Sequence, residues 1–124
     1  MRDVKLIRIL VVDDNREAAD ALVEILTLCG HHAVPAYDGM SALAVAARLV
    51  PDTIFLDIGM PGMSGIEVSK ELRQLPALRH TQVVALTAWG DAATREQTTS
   101  AGFDLHLVKP ADIHTILAAL QPIS

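Results

Sequence analysis

The sequence predicts an α/β fold in which a parallel five-stranded sheet lies between two layers of helices. Three observations predict it. Five short apolar runs recur along the 124 residues, at Leu6–Val12, Ala33–Ala36, Thr53–Leu56, Val83–Leu86 and Leu105–Val108. Their lengths suit strands buried on both faces of a parallel sheet. Amphipathic stretches separate them, and cap or stop residues mark the junctions. Repeated strand–helix units connected by right-handed crossovers place helices on both faces of the sheet.

The helices follow in order. Ala18, Leu22, Ile25, Leu26 and Cys29 fall at helical spacing on one face, with Gly30 as the stop. Cys29, the sole cysteine, is therefore expected to be a packed core thiol, the usual setting of free Cys. Asp38 caps an Ala-rich second helix that ends before Pro51. Val68, Leu72 and Leu75 line a third, ending before Pro76. Asp91 opens a fourth, "DAATREQTTSAG", closed by Gly102; Ala supplies its only apolar face, so its packing should be shallow and its position easily shifted. Asp112 opens a fifth, with Ile113, Ile116, Leu117 and Leu120 inward and Pro122 beyond. One domain over residues 1–124, with its core at about 6–120, accommodates all of this.

Composition narrows the function. Half the residues are hydrophobic but only four are aromatic, so the core must be Val, Leu, Ile and Ala. A formal charge of −5 argues against nucleic acid as the main ligand, because phosphate backbones call for a basic surface. A single cysteine excludes an internal disulfide and argues against a zinc site. The N-terminal "MRDVKLIRILVVDD" lacks the apolar core of a signal peptide, and no segment has the roughly 18 apolar residues of a membrane span. A reducing cytoplasm is the expected setting.

In such sheets ligands bind beyond the carboxyl ends of the strands. There the sequence collects Asp13 and Asp14, Asp57, Thr87, and Lys109 followed by Pro110. A strand order of 2-1-3-4-5 would set four of those ends side by side. Three neighbouring carboxylates repel one another and raise at least one pKa unless a cation intervenes. The ammonium of Lys109 is one such cation, and a hard divalent ion such as Mg²⁺ is another. That combination suits phosphoryl transfer, with a carboxylate as nucleophile. Gly59 lets a backbone carbonyl approach a metal, and Pro61 and Gly62 turn the chain away, which is expected to leave Asp57 uncovered. Thr87 offers a hydroxyl to a phosphoryl oxygen, Ala88 leaves room, and the Lys109–Pro110 bond is a candidate cis peptide. Plainer roles exist for each: Asp14 or Asn15 as a helix cap, Thr87 as a strand end, Lys109 as a solvated charge.

The motifs "ILVVDDN", "DIGMPGMSG", "ALTA" and "AGFDLHLVKP" resemble those of response-regulator receiver domains, the flavodoxin-like modules of two-component signalling, over about Ile9 to Leu120. The resemblance implies a (βα)5 doubly wound fold with sheet order 2-1-3-4-5. It implies that Asp57 accepts a phosphoryl group from a phosphohistidine on a histidine kinase or histidine phosphotransfer protein. Mg²⁺ would be held by Asp14, Asp57 and the Gly59 carbonyl, and by Asp13 through water, while Thr87 and Lys109 contact the phosphoryl oxygens. The face made by the fourth helix, fifth strand and fifth helix would then change its affinity for a partner. His106 stands where family members often carry Tyr or Phe, which puts the usual inward swing in question. Trp89, two residues past Thr87, is a second departure, placed to shield the phosphoryl group or to anchor a partner. The form of "DIGMPGMSG" and "GFDLHLVKP" is similar to receivers of hybrid histidine kinases. No output domain follows Leu120, so direct control of transcription is not expected.

Two other readings compete. A phosphatase with Asp57 as nucleophile would need a second acid two residues on, where this chain has Gly59. A binding module that is never phosphorylated would have no need to assemble mutually repelling carboxylates.

Overall fold

The computed structural model describes residues 7–88, 90 and 92–120. Five strands, β1 (Arg8–Val12), β2 (His32–Ala36), β3 (Thr53–Asp57), β4 (Gln82–Thr87) and β5 (Leu105–Val108), form one parallel sheet in the order β2-β1-β3-β4-β5. The helices are α1 (Arg16–Leu28), α2 (Gly39–Leu49), α3 (Gly65–Leu72), α4 (Ala92–Ser100) and α5 (Ile113–Ala119). All five expected units are present in the expected order. Leu6, Trp89, Asp91 and Pro122 lie outside the described residues.

Strand alternation divides the core in two. Leu10, Val12, Ile54, Leu56, Val83 and Ala85 pack with Ala42 and Ala46 of α2 and Val68 and Leu72 of α3. Ile9, Val11, Phe55, Val84 and Leu86 face the other way, onto Ala19 and Leu26 of α1 and Ile116 and Ala119 of α5. A one-residue slip would exchange the two sets, so burial on both faces fixes the register. The edge strands are less buried than the runs suggest: Leu105 and Val108 of β5 are exposed, and β2 is half-buried through Ala33–Pro35. Pro35, unable to donate to a ladder, sits on an edge strand as it must.

Three helix details depart from expectation. The buried stripe of α1 centres on Ala19 and Leu26, so Ala18 and Ile25 are exposed along its flank. Cys29 is exposed too, not a core thiol: it caps α1, its N–H bonding back to Ile25 and Leu26, beyond the last turn that packs on the sheet. Helix α3 stops at Leu72, and a 3₁₀ turn over Pro76–Leu78 follows, because the residue before a proline is driven to extended backbone and Leu75 adopts it. The expected Asp38 and Asp112 caps are present, each accepting a bond of 2.8 Å from the third residue of its helix. Those bonds hold both carboxyls below their usual pKa. Ser64 and Glu67 form a capping box on α3.

Phe55 is fully buried in the central strand. Phe55→Ala should cost about 3–5 kcal/mol, read from the shift in denaturation midpoint at an unchanged urea dependence.

Candidate functional site

Register alone brings the polar strand ends together. Val12 pairs with Leu56, so Asp13 stands abreast of Asp57. Asp57 pairs with Leu86, placing Thr87 next along the rim. Thr87 pairs with Val108, and the Lys109 N–H donates to the Thr87 carbonyl at 2.7 Å. The Lys109–Pro110 peptide is cis, as the sequence allowed.

At this rim the Lys109 Nζ lies 3.2 Å from Asp13 Oδ2 and 3.3 Å from Asp57 Oδ2. Asp13, Asp14 and Asp57 each offer an oxygen, all within 4.8 Å of one another. Asp13 and Asp57 are buried while Asp14 is exposed. Burial pushes the Asp57 carboxyl up; the Gly59 N–H, donating to Oδ1 at 2.9 Å, and the Lys109 charge pull it down without cancelling the rise, and the nearby Asp13 adds to it. Burial also pulls the Lys109 ammonium down, but the two carboxylates outweigh it and leave its pKa raised. The sequence argument that crowded carboxylates need a cation is thus met in part by Lys109. The donor set itself, three hard oxygens with one carboxylate open to solvent, fits a hard divalent cation.

Asp57 is not left uncovered. Its residue exposure is 7 %. The chain after it does turn away, with Gly59, Pro61 and Gly62 all exposed, but Asp13 and Lys109 pack against the carboxylate from the side. Thr87 is buried at the end of β4 and Ala88 is exposed beside it. The helix cap falls to Asn15, whose side chain accepts from the Ala18 N–H at 3.1 Å. Asp13 accepts from the Asn15 N–H at 3.0 Å, so Asp14 has no capping role and faces solvent.

His106 neither turns into the sheet nor lies free on the surface. It is half-buried, with Nδ1 3.1 Å from the Thr98 hydroxyl of α4. Trp89 lies outside the described residues. Sequence reasoning missed Gly65. A side chain there would collide with the Asp57 backbone carbonyl and come 2.6 Å from the Ile58 Cα, so only glycine lets α3 start against the end of β3. Its signal was the Ser64-x-x-Glu67 cap, which marks a helix starting close behind the acid. Arg16, stacked 4.2 Å from the Tyr37 ring, and Tyr37, bonded to Asp20 at 2.5 Å, brace the neighbouring rim.

A model of the response regulator receiver domain matches residues 9–121, and the chain belongs to that family. Response regulator PleD of Caulobacter vibrioides is 39% identical over 117 residues, which are 94% of this chain and 26% of PleD. The DNA-binding dual master transcriptional regulator RpaA of Synechocystis is 33% identical over 116 residues, 94% of this chain and 48% of RpaA. The chain thus spans between a quarter and a half of these relatives. Among solved structures, the chemotaxis protein CheY4 of Vibrio cholerae aligns with a TM-score of 0.90 at 30% identity, over 94% of this chain and 98% of CheY4. A Burkholderia pseudomallei response regulator, solved with a phosphorylated aspartic acid, calcium ion and citrate, aligns with a TM-score of 0.84 at 31% identity, over 92% of this chain and 66% of its own. The flavodoxin-like order 2-1-3-4-5 agrees with these neighbours. Among the described residues no helix is long and apolar enough to cross a membrane.

Gly65→Ala should displace the start of α3 from the end of β3. The expected outcome is a loss of about 1–3 kcal/mol in urea unfolding, with amide shifts at Asp57 and Ile58; an unchanged stability would mean the contact relaxes without consequence.

Proposed function

We propose that the chain is a phosphoacceptor switch in which Asp57 takes a phosphoryl group from a phosphohistidine of a histidine kinase or histidine phosphotransfer protein. The observation that carries this reading is the Asp57 carboxylate held 3.3 Å from the Lys109 ammonium beside two further acids. The phosphorus–nitrogen bond of the donor breaks as a phosphorus–oxygen bond forms to Asp57, and the electron pair returns to the imidazole. Lys109, and Thr87 at the adjacent strand end, are the groups we assign to the phosphoryl oxygens. Asp14, Asp57 and the Gly59 carbonyl would hold Mg²⁺, with Asp13 acting through water; the ion's contribution is to neutralise oxygen charge. The phosphorylated aspartic acid and calcium ion of the similar Burkholderia protein support both assignments.

The reading is a switch rather than a multiple-turnover phosphatase, because Gly59 offers no acid to protonate a leaving group. The gathered acids and ammonium also favour it over an unphosphorylated binding module. We assign residues 1–124 to one receiver unit working in the cytoplasm through protein partners, consistent with a formal charge of −5. The face of α4, β5 and α5 is the output surface we assign, with Leu105 and Val108 exposed upon it.

Contiguous with Asp13 and Lys109 lies a groove where Ala18 and Leu22 of α1 face Ile113 of α5. We assign this groove to the donor protein.

Incubation with acetyl phosphate and Mg²⁺ should add the mass of one phosphoryl group to the wild type and nothing to Asp57→Asn. Equal labelling of both proteins, or of neither, would refute the assignment. Ala18→Arg, which keeps the helix but fills the groove, should slow transfer from a phosphohistidine protein by roughly tenfold, about 1.4 kcal/mol, while leaving labelling by acetyl phosphate unchanged.

A further inference from the structure

Among the described residues, long-range contacts hold the C-terminal end of α4. Thr98, in the last turn, is the one buried residue among those described for this helix, and Ala101 and Phe103 are buried just beyond it. The buried Ser69 hydroxyl of α3 donates to the Ala101 carbonyl at 2.8 Å. Arg73 donates through Nε to the Gly102 carbonyl at 2.9 Å and through Nη2 to Asp104 at 2.7 Å. Asp104 in turn accepts from the Val83 N–H at 2.8 Å, which ties the cluster to the start of β4. The Thr98 hydroxyl donates to the Arg95 carbonyl at 3.0 Å and lies 3.1 Å from His106 Nδ1. A hydroxyl has one hydrogen, so with that hydrogen on Arg95 the imidazole is the donor and β5 is latched to α4.

The other end differs. From Ala92 to Gln97 no side chain is buried, and only Thr94 is half-buried. The Arg95 side chain donates to the Gly90 carbonyl at 3.3 Å, a tie within the same segment of chain. An open groove lined by Ala93, Glu96, Gln97 and Ser100 separates α4 from Ile66 and Lys70 of α3. This loose end follows Thr87 by five residues, whereas the anchored end lies far along the chain from it. Segments with little buried side chain open at low free energy, and buried, hydrogen-bonded segments do not.

We propose that α4 is a lever pinned at residues 98–104. Its N-terminal half tilts when the neighbouring strand end is occupied, while Ser69, Arg73 and the Thr98–His106 latch hold the pivot. His106 then stays on Thr98 in both states instead of turning inward, and the output face changes through the position of Ala92–Gln97. The tilt rests on the phosphoacceptor reading; the pinning does not.

Amide hydrogen exchange on the whole chain, at rest and with beryllofluoride and Mg²⁺, tests both parts. The Glu96 and Gln97 amides report the loose half, since their helical bonds reach back one turn. At rest, Ala101 and Phe103 should exchange at least about tenfold more slowly than these two. Ser69→Ala and Thr98→Val, neither at the acidic site, should each shrink that difference. With beryllofluoride, chemical-shift changes should concentrate in residues 88–97, while 98–103 and the His106 ring stay unchanged. Equal protection along α4 at rest would overturn the pinned pivot. Movement of 98–103 or of the His106 ring as large as that of 92–97 would overturn the lever. If beryllofluoride shifts nothing, the phosphoacceptor reading and the tilt fail together, and the resting gradient still decides whether α4 is pinned.

Discussion

The ammonium of Lys109, set between the carboxylates of Asp13 and Asp57 at 3.2 and 3.3 Å, is the interaction on which the site depends. Two buried acids at adjoining strand ends would otherwise repel across a gap with little water to screen them. One ammonium does not suffice. Asp57 retains a raised pKa from its burial, and Asp14 brings a third carboxylate to within 4.8 Å. With three carboxylates gathered against one ammonium, the resting site is short of positive charge, and its oxygen donors fit a hard cation. Adding roughly −1.5 to −2 charge with a phosphoryl group sharpens the same imbalance and draws donors toward Asp57. The sheet supplies the positions: register puts the four strand ends abreast, and the two packed faces forbid a slip that would separate them.

In the proposed lever, the two ends of α4 turn that charge balance into movement. The rim where charge changes adjoins the end of α4 that buries no side chain, while long-range bonds from α3 hold the other end. A helix packed along its whole length would resist a local electrostatic change, and one packed nowhere would transmit nothing. One pinned end provides direction. Leu105 and Val108 of β5 are exposed on the edge strand, within the output surface assigned above.

Much of this was legible in the sequence, for a physical reason. Apolar runs interrupted by acids define strands and their polar ends, and parallel connectivity then forces Asp13, Asp57, Thr87 and Lys109 to one rim without any knowledge of side-chain contacts. The Asp38 and Asp112 caps were legible because capping is local. What escaped was set by tertiary packing. The spacing of Ala18, Ile25 and Cys29 matches a helical face, but which flank of α1 meets the sheet depends on the angle at which it docks, and these three fall on the open side. Asp57 is packed by Asp13 and Lys109, distant in sequence, as well as by the turn that follows it, whose Gly59 N–H bonds the carboxylate. Ser69 and Ala101 are 32 residues apart, and nothing local in either announces their bond. The Thr98–His106 contact likewise depends on how α4 docks on β5, since the sequence offered only a histidine in place of an aromatic residue.

Calorimetric titration with Mg²⁺ tests the charge shortfall most directly. The wild type should bind one ion. Asp14→Asn, which removes the exposed carboxylate, should weaken binding by roughly tenfold or more, about 1.4 kcal/mol. Lys109→Met, which removes the competing ammonium, should bind at least as tightly as the wild type. No heat of binding in the wild type, or weaker binding once Lys109 is gone, would contradict the account.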